Sequence, residues 1–209
     1  MRGMKSISVT ARSLMPLAGA LVLLLVHSAD AAVSDPAAIQ VQTLTDALLK
    51  SMRAGSNESM AERYRTLEPV IEQVFALPIV ARLAVGPDWA SFSADDQKAV
   101  VAAFTRFTVA NYAHNFRDYG GEKFEIDDNV VTRGTDKIVR SRIIPAHDAP
   151  VSLLYRMREV DGAWKIIDVL SNGVSELTLR RADFAAALGA GGAPVLIAHL
   201  NKASDGLMK

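Results

Sequence analysis

The stretch Glu68–Tyr119, EPVIEQVFALPIVARLAVGPDWASFSADDQKAVVAAFTRFTVANYAHNFRDY, decides how the rest of the chain is read. Its first half carries Val70, Ile71, Val74, Phe75, Leu77, Ile79, Val80, Leu83 and Val85. That is more than one face of a short helix holds, so the segment is expected to be buried on more than one side. Leu77-Pro78 predicts an interruption, because proline removes a backbone donor and disfavours helix at the residue before it. Gly86-Pro87 predicts a full stop, with Trp89 and Phe92 plugging one end of the core. Ser93 then opens a second helix as its N-cap, with Asp95 and Asp96 in the first turn, where the helix dipole favours carboxylates. Val100, Val101, Phe104, Phe107, Val109, Tyr112 and Phe116 follow at helical spacing and make an aromatic ridge. Tyr119-Gly120-Gly121 predicts its end.

Upstream, the chain divides into a leader and one helical pair. Arg2, Lys5 and Arg12 form a positive start, Leu14–Val26 is an apolar run, and Ala29-Asp30-Ala31 offers small residues at both positions of a cleavage site. Residues 1–31 therefore read as a signal peptide, with cleavage near Ala31/Ala32 and residues 32–209 as a single domain. The apolar run is short for a bilayer, which takes ~20 residues; a retained anchor is the alternative. Asp35 and Pro36 predict a helix start, with Ile39, Leu44, Leu48, Leu49 and Met52 on its apolar face. Gly55-Ser56-Asn57 ends that helix. A second begins around Ser59 with Met60, Tyr64 and Leu67, and Pro69 is expected to break or restart it.

Beyond Gly121 the apolar period changes from that of a helix to that of a strand. Lys123–Asp127 pairs Phe124 with Ile126; Asp136–Pro145 sets Val139 and Ile143 against Arg140 and Arg142. Val151–Val160 places Val151, Leu153, Tyr155 and Met157 on one face and Ser152, Arg156 and Arg158 on the other. Asp161-Gly162 is a hairpin signal, and after it Trp164 and Ile166 alternate with Lys165 and Ile167. Such alternation predicts an antiparallel sheet with one face covered and one wet. A turn at Ser171-Asn172-Gly173 leads to a helix with Leu177, Leu179, Phe184 and Leu188; Gly189–Gly192 breaks it, and Pro194 opens a last one. Helices, then a meander, then helices describe one α+β domain with helices packed on a one-sided antiparallel sheet.

Composition excludes several classes of function. The 209 residues carry 23 basic and 23 acidic side chains and no cysteine. Losing Arg2, Lys5, Arg12 and Asp30 with residues 1–31 leaves a slightly acidic chain, which argues against nucleic acid. Without cysteine there is no disulfide, thiol catalysis or thiolate metal site. His27 falls in the leader, and His114, His147 and His199 lack the spacing of a zinc site or a triad. No Gly-rich phosphate loop appears, so no cofactor and no metal are expected. The one enzyme-like set is Asp168 as a base with Tyr112 or Tyr155. Its place at a strand end makes capping the commoner role.

The ordered set RLAVGPDW, SADDQKAVVAAF, the run Phe107–Tyr119 closing on GGEKFEI, and Trp164–Val169 followed by Gly173-Val174-Ser175 resembles the MlaC, or toluene-tolerance, family of periplasmic phospholipid-binding proteins. Within it, RFTVANYAHNF (106–116) looks most like the hopanoid-associated HpnM branch. The resemblance implies an α+β fold akin to cystatin and NTF2-like folds, with an apolar cavity between helices and sheet. It also implies a periplasmic shuttle that carries a phospholipid or hopanoid between inner- and outer-membrane complexes, the alternatives being an NTF2-like enzyme of the isomerase or dehydratase type and a non-transporting periplasmic adaptor. Its expected partners are an inner-membrane lipid transporter and an outer-membrane lipoprotein complex. Each large apolar residue reads first as ordinary core. The candidates for a ligand wall are Val74, Phe75, Val80 and Leu83, then Phe104, Phe107 and Phe116, and from the sheet Leu153, Tyr155, Met157 and Ile166. The four strand arginines read as a solvated surface, with docking to a membrane complex as the sharper alternative.

Overall fold

The computed structural model describes residues 34–209. The expected signal peptide and its cleavage site lie outside the described residues.

Helix α1 spans Pro36–Ala54, and the Asp35 carboxylate caps it by accepting from the Ala37 N–H at 2.8 Å. Its buried stripe is Ala37, Val41, Leu44, Leu48 and Met52, which keeps strict three- and four-residue steps. Ile39 falls off those steps and stands 44% exposed, so its expected place on the apolar face is corrected. Helix α2, Met60–Val74, starts with a reciprocal capping box between Ser59 and Glu62. Pro69 does not break it. The proline stands on the exposed face, where a freed carbonyl can turn to water, while Arg63, Leu67, Ile71 and Val74 hold the buried face.

The interruption falls at Phe75-Ala76, just before Leu77-Pro78. There the chain is extended, and the Ala76 N–H donates to the Ile166 carbonyl at 3.0 Å, a parallel bridge to the sheet. Pro78 instead sits in the first turn of α3, Leu77–Val85, where its missing donor costs nothing. Gly86, with φ +74°, ends α3 in a conformation that disfavours any side chain. A short 3-10 turn, Gly86–Ser91, brings Trp89 to 6.1 Å from Phe92. Helix α4, Ala94–Asn115, follows its Ser93 cap as the sequence implies. It ends at Phe116 and not at the glycine pair. The Phe116 ring stacks on Tyr112 at 5.7 Å and meets Phe124 at 6.3 Å, which turns the chain into the sheet early.

The sheet is wholly antiparallel, built from β1 Lys123–Ile126, β2 Val131–Arg133, β3 Asp136–Ile144, β4 Val151–Val160, β5 Ala163–Ser171 and β6 Val174–Ser175. Its order is β1-β3-β4-β5-β6, with β2 also paired to β3. Strand β2 has only Val131 as an apolar marker, too little to be seen in the sequence. Asp161-Gly162 and Asn172-Gly173 both close two-residue hairpins with positive φ at each position, as a type I′ turn requires.

A bulge lies between β4 and β5. Arg156 pairs with Asp168 and Met157 with Ile166, so Ile167 is the extra residue. Ile167 was expected on the wet face beside Lys165; the bulge buries it instead, at 1% exposure.

Helix α5, Glu176–Leu207, is interrupted at Gly191 and Gly192, and Pro194 opens its second half. By length and composition α5 could cross a bilayer, but Phe184, Leu196 and Leu200 are buried in the core between helices and sheet. One charged side chain is buried with them. Arg63 donates to the Ser51 carbonyl, to Ser51 Oγ at 2.7 Å and to the Gly55 carbonyl at 2.7 Å, and so ties the α1–α2 turn together. On the sheet's outer face Asp136 is also buried, receiving Arg156 Nε at 2.6 Å and Arg158 Nε at 2.7 Å.

Candidate functional site

A cavity of about 360 Å³ opens between α4 and the inner face of the sheet. Three sides of it follow from local rules already described. After its Ser93 cap, α4 carries Phe104, Phe107, Tyr112 and Phe116 on the side that lines the cavity. The inward residues Ile143 on β3 and Val151, Leu153 and Tyr155 on β4 oppose them. The bulge in β5 turns Ile167 and Val169 to the same side. Phe75, Leu77 and Val80 close one end, and Leu48 reaches in from α1. The last side is the start of α5, with Glu176, Leu177 and Arg180.

Seven of the eleven candidates stand on this wall: Phe75, Val80, Phe104, Phe107, Phe116, Leu153 and Tyr155. Val74, Met157 and Ile166 are fully buried behind it, and Leu83 is half-buried on α3, its carbonyl accepting from Arg181 at 2.8 Å. Two of these are neighbours: Ile166 pairs with Met157 of β4 on one side and with Phe75 along the other edge of β5. Sequence reasoning missed Ile167 and Val169 because a bulge leaves no mark in an alternating pattern. It also missed a polar stripe, Thr108, Asn111 and Asn115, that runs along α4 beside the ridge. Those three share the ridge's helical spacing, which was the available signal.

Aromatic rings make up much of the wall. Phe75 lies 5.6 Å from Tyr112, and Tyr112 stacks on Phe116, a continuous chain of rings. Burial pushes the Tyr155 hydroxyl up to about 12. Burial, with the neighbouring Tyr155 and Glu176, pushes Tyr112 further still. Both hydroxyls therefore remain uncharged donors at neutral pH. The polar lining residues come from α4, β5 and the start of α5. Asn115 donates to Asn111 at 3.2 Å, and Arg180 lies 4.7 Å over the Phe107 ring and 3.5 Å from the Glu176 carboxylate.

Asp168 also touches the cavity, but both its oxygens are engaged. One accepts from the Leu177 N–H at 3.1 Å and the other from Ser175 Oγ at 2.7 Å, so the residue caps the α5 start. His114 contacts the Leu207 carbonyl at 3.1 Å, and His199 lies 3.3 Å from Asp183. Among the described residues, no three His, Cys, Asp or Glu side chains gather to hold a metal. A second and larger hollow, about 770 Å³, lies on the outer sheet face. Glu125, Asp127, Asp128, Arg140 and Arg142 line it, a charged groove with no aromatic wall.

The profile of the MlaC protein family matches residues 42–202, which takes in every wall of the cavity. The chain belongs to the MlaC family. A solved structure with the same fold is the phospholipid-binding protein from Ralstonia solanacearum, determined in complex with a phospholipid. It is 19% identical, superposes with a TM-score of 0.73, and the match covers 84% of this chain and 100% of that one. No curated protein sequence matches this chain. Membership in the family fixes the α+β fold with helices on an antiparallel sheet, as the residues implied.

Proposed function

We propose that this MlaC-family chain is a periplasmic lipid carrier that hides the apolar part of one lipid between α4 and the sheet. The observation that carries the reading is the cavity itself: an aromatic ridge facing a one-sided sheet, with the partly exposed Arg180 and Glu176 on its wall. Each buried methylene is worth ~0.8 kcal/mol, so a chain of roughly 16 carbons left in water costs on the order of 12 kcal/mol. A soluble carrier has to cover that surface. The cavity lies toward the small end of the range for ligand pockets, roughly 300–1,000 Å³. Flexible and aromatic walls suit a tail that bends.

Phospholipid is the ligand class favoured over hopanoid, because charged groups stand at the rim and the fold is shared with a protein solved with a phospholipid. The placement in the HpnM branch rests on residues 106–116 and the compact helix pair around them. The carrier would be exported by the signal peptide read in residues 1–31. It would exchange lipid with an inner-membrane transporter and an outer-membrane lipoprotein complex. An enzymatic role is disfavoured because Asp168, the one candidate base, is occupied by the α5 cap. The test is transfer of a fluorescent phospholipid from donor to acceptor vesicles. A carrier accelerates it in proportion to its concentration, and a rate equal to that of vesicles alone would sink the proposal.

A further inference from the structure

Arg180 is the cavity residue whose surroundings are least explained by folding. Its guanidinium lies over the Phe107 ring at 4.7 Å, an aromatic platform inside the ligand cavity. Its nearest carboxylate, Glu176, is 3.5 Å away, one helical turn back, too loose for a charge-assisted hydrogen bond of ~2.8 Å. Among the described residues no acceptor takes a hydrogen bond from Arg180, whereas Arg181, next in the chain, gives two to the Leu83 carbonyl. The side chain is only 26% exposed, so water does not surround it. A planar cation with five donors, held flat and left unsaturated at the edge of an apolar cavity, is matched to a phosphate. Glu176 beside it would repel a bare anion. The same carboxylate suits a ligand that carries an ammonium one short arm from its phosphate.

On the reading that this cavity binds lipid, we propose that Arg180 and Glu176 form the headgroup receptor for a zwitterionic phospholipid, the phosphate on Arg180 and the ammonium on Glu176. The acyl chain then runs from Phe107 along the ridge toward Phe116, between α4 and the strands. Asn111, one turn from Phe107 on the same face, lies on the cavity wall with a side-chain amide suited to the glycerol esters. The arrangement assigns selection of the lipid class to charge at the rim and leaves the tail to be accepted by shape alone.

The experiment uses delipidated full-length mature protein and vesicles of phosphatidylcholine. Each set is doped with one fluorescent lipid of the same chains: phosphatidylethanolamine, phosphatidylglycerol or diacylglycerol. Wild type is expected to take up phosphatidylethanolamine at least about tenfold more tightly than diacylglycerol, a difference of ~1.4 kcal/mol. Arg180→Gln brings phosphatidylethanolamine to the diacylglycerol level, and the ratio of the two uptakes in the same variant is the readout. Arg180→Lys keeps part of the preference, since the charge remains without the planar fork. Glu176→Gln removes the preference for ethanolamine over glycerol headgroups. Equal uptake of all three lipids by wild type overturns the headgroup receptor while leaving a lipid carrier in place. Discrimination that survives in Arg180→Gln overturns it too. Wild type that takes up none of the three overturns the carrier reading itself.

Discussion

Val169→Trp tests whether the space facing the sheet is a void or merely loose core. Val169 lies on β5 opposite Tyr155, half-buried, with its side chain on the cavity wall. Tryptophan is well tolerated in a strand, and here its ring enters about 360 Å³ of open space, not a packed neighbour. The usual overpacking penalty of ~1–3 kcal/mol is therefore avoided, and stability stays within about 1 kcal/mol of wild type. Ligand binding suffers instead. An indole that displaces roughly four methylenes of a lipid tail removes about 3 kcal/mol of burial. That is on the order of a hundredfold in affinity. Met157→Trp is the control, because Met157 is fully buried on the neighbouring strand away from the cavity. It should pay the full overpacking penalty. Urea denaturation reads the first quantity and uptake of fluorescent phospholipid from vesicles the second. The reasoning fails if Val169→Trp is as destabilised as Met157→Trp, or if it takes up lipid as wild type does.

Further predictions concern what holds the walls in place. Arg63→Met leaves the Ser51 and Gly55 carbonyls without their buried donor and should cost roughly 3 kcal/mol, read by urea denaturation. Asp136→Asn weakens contacts to two arginines that are partly exposed, so about 1–2 kcal/mol is expected at pH 7. Burial opposes ionisation of Asp136, but hydrogen bonds from Arg158 and Arg156 outweigh it and hold its carboxyl below the usual carboxylate range. Its contribution is therefore fully present above pH ~3.8 and is lost as pH falls through the lower folded value. The gap between wild type and Asp136→Asn should close only in that acid window, and a gap that closes near neutrality would contradict the assignment. Asp168→Ala removes the acceptor of the Leu177 N–H and of the Ser175 hydroxyl beside the Ser175 cap of α5 and should lower stability by about 1 kcal/mol; no change in the denaturation midpoint would mean that this support is idle.

Much of the fold was legible because short signals with a single mechanism decide it. Ser93 with its following aspartates, Asp35-Pro36 and Asp161-Gly162 each have one low-energy conformation, and each sits where that conformation is needed. The failures share a different origin. Pro69 reads as a breaker only if its carbonyl partner is buried, and burial is a property of the packed domain. Ile39 was assigned by hydrophobicity, whereas helical steps gave the buried place to Ala37 and Val41. Ile167 depends on a bulge, and a one-residue slip in register exchanges the faces of a strand.

The cavity was legible in outline. The ridge on α4 and the inward face of β4 were recognisable from periodicity, and both line it. What the sequence could not show is where apolar density stops being core. Val74, Met157 and Ile166 are as greasy as Phe107 and Leu153, and only the packing of the whole domain separates the two groups. Arg180 and Glu176 escaped notice for the opposite reason: both are polar, and no motif marks their place at the start of α5.

The central claim is that the cavity holds a lipid. Native mass spectrometry of the purified mature protein, followed by solvent extraction, tests it most directly. The account predicts one phospholipid per chain, lost on denaturation and restored from vesicles after delipidation. Protein that purifies empty and takes up no labelled phospholipid from vesicles would contradict it.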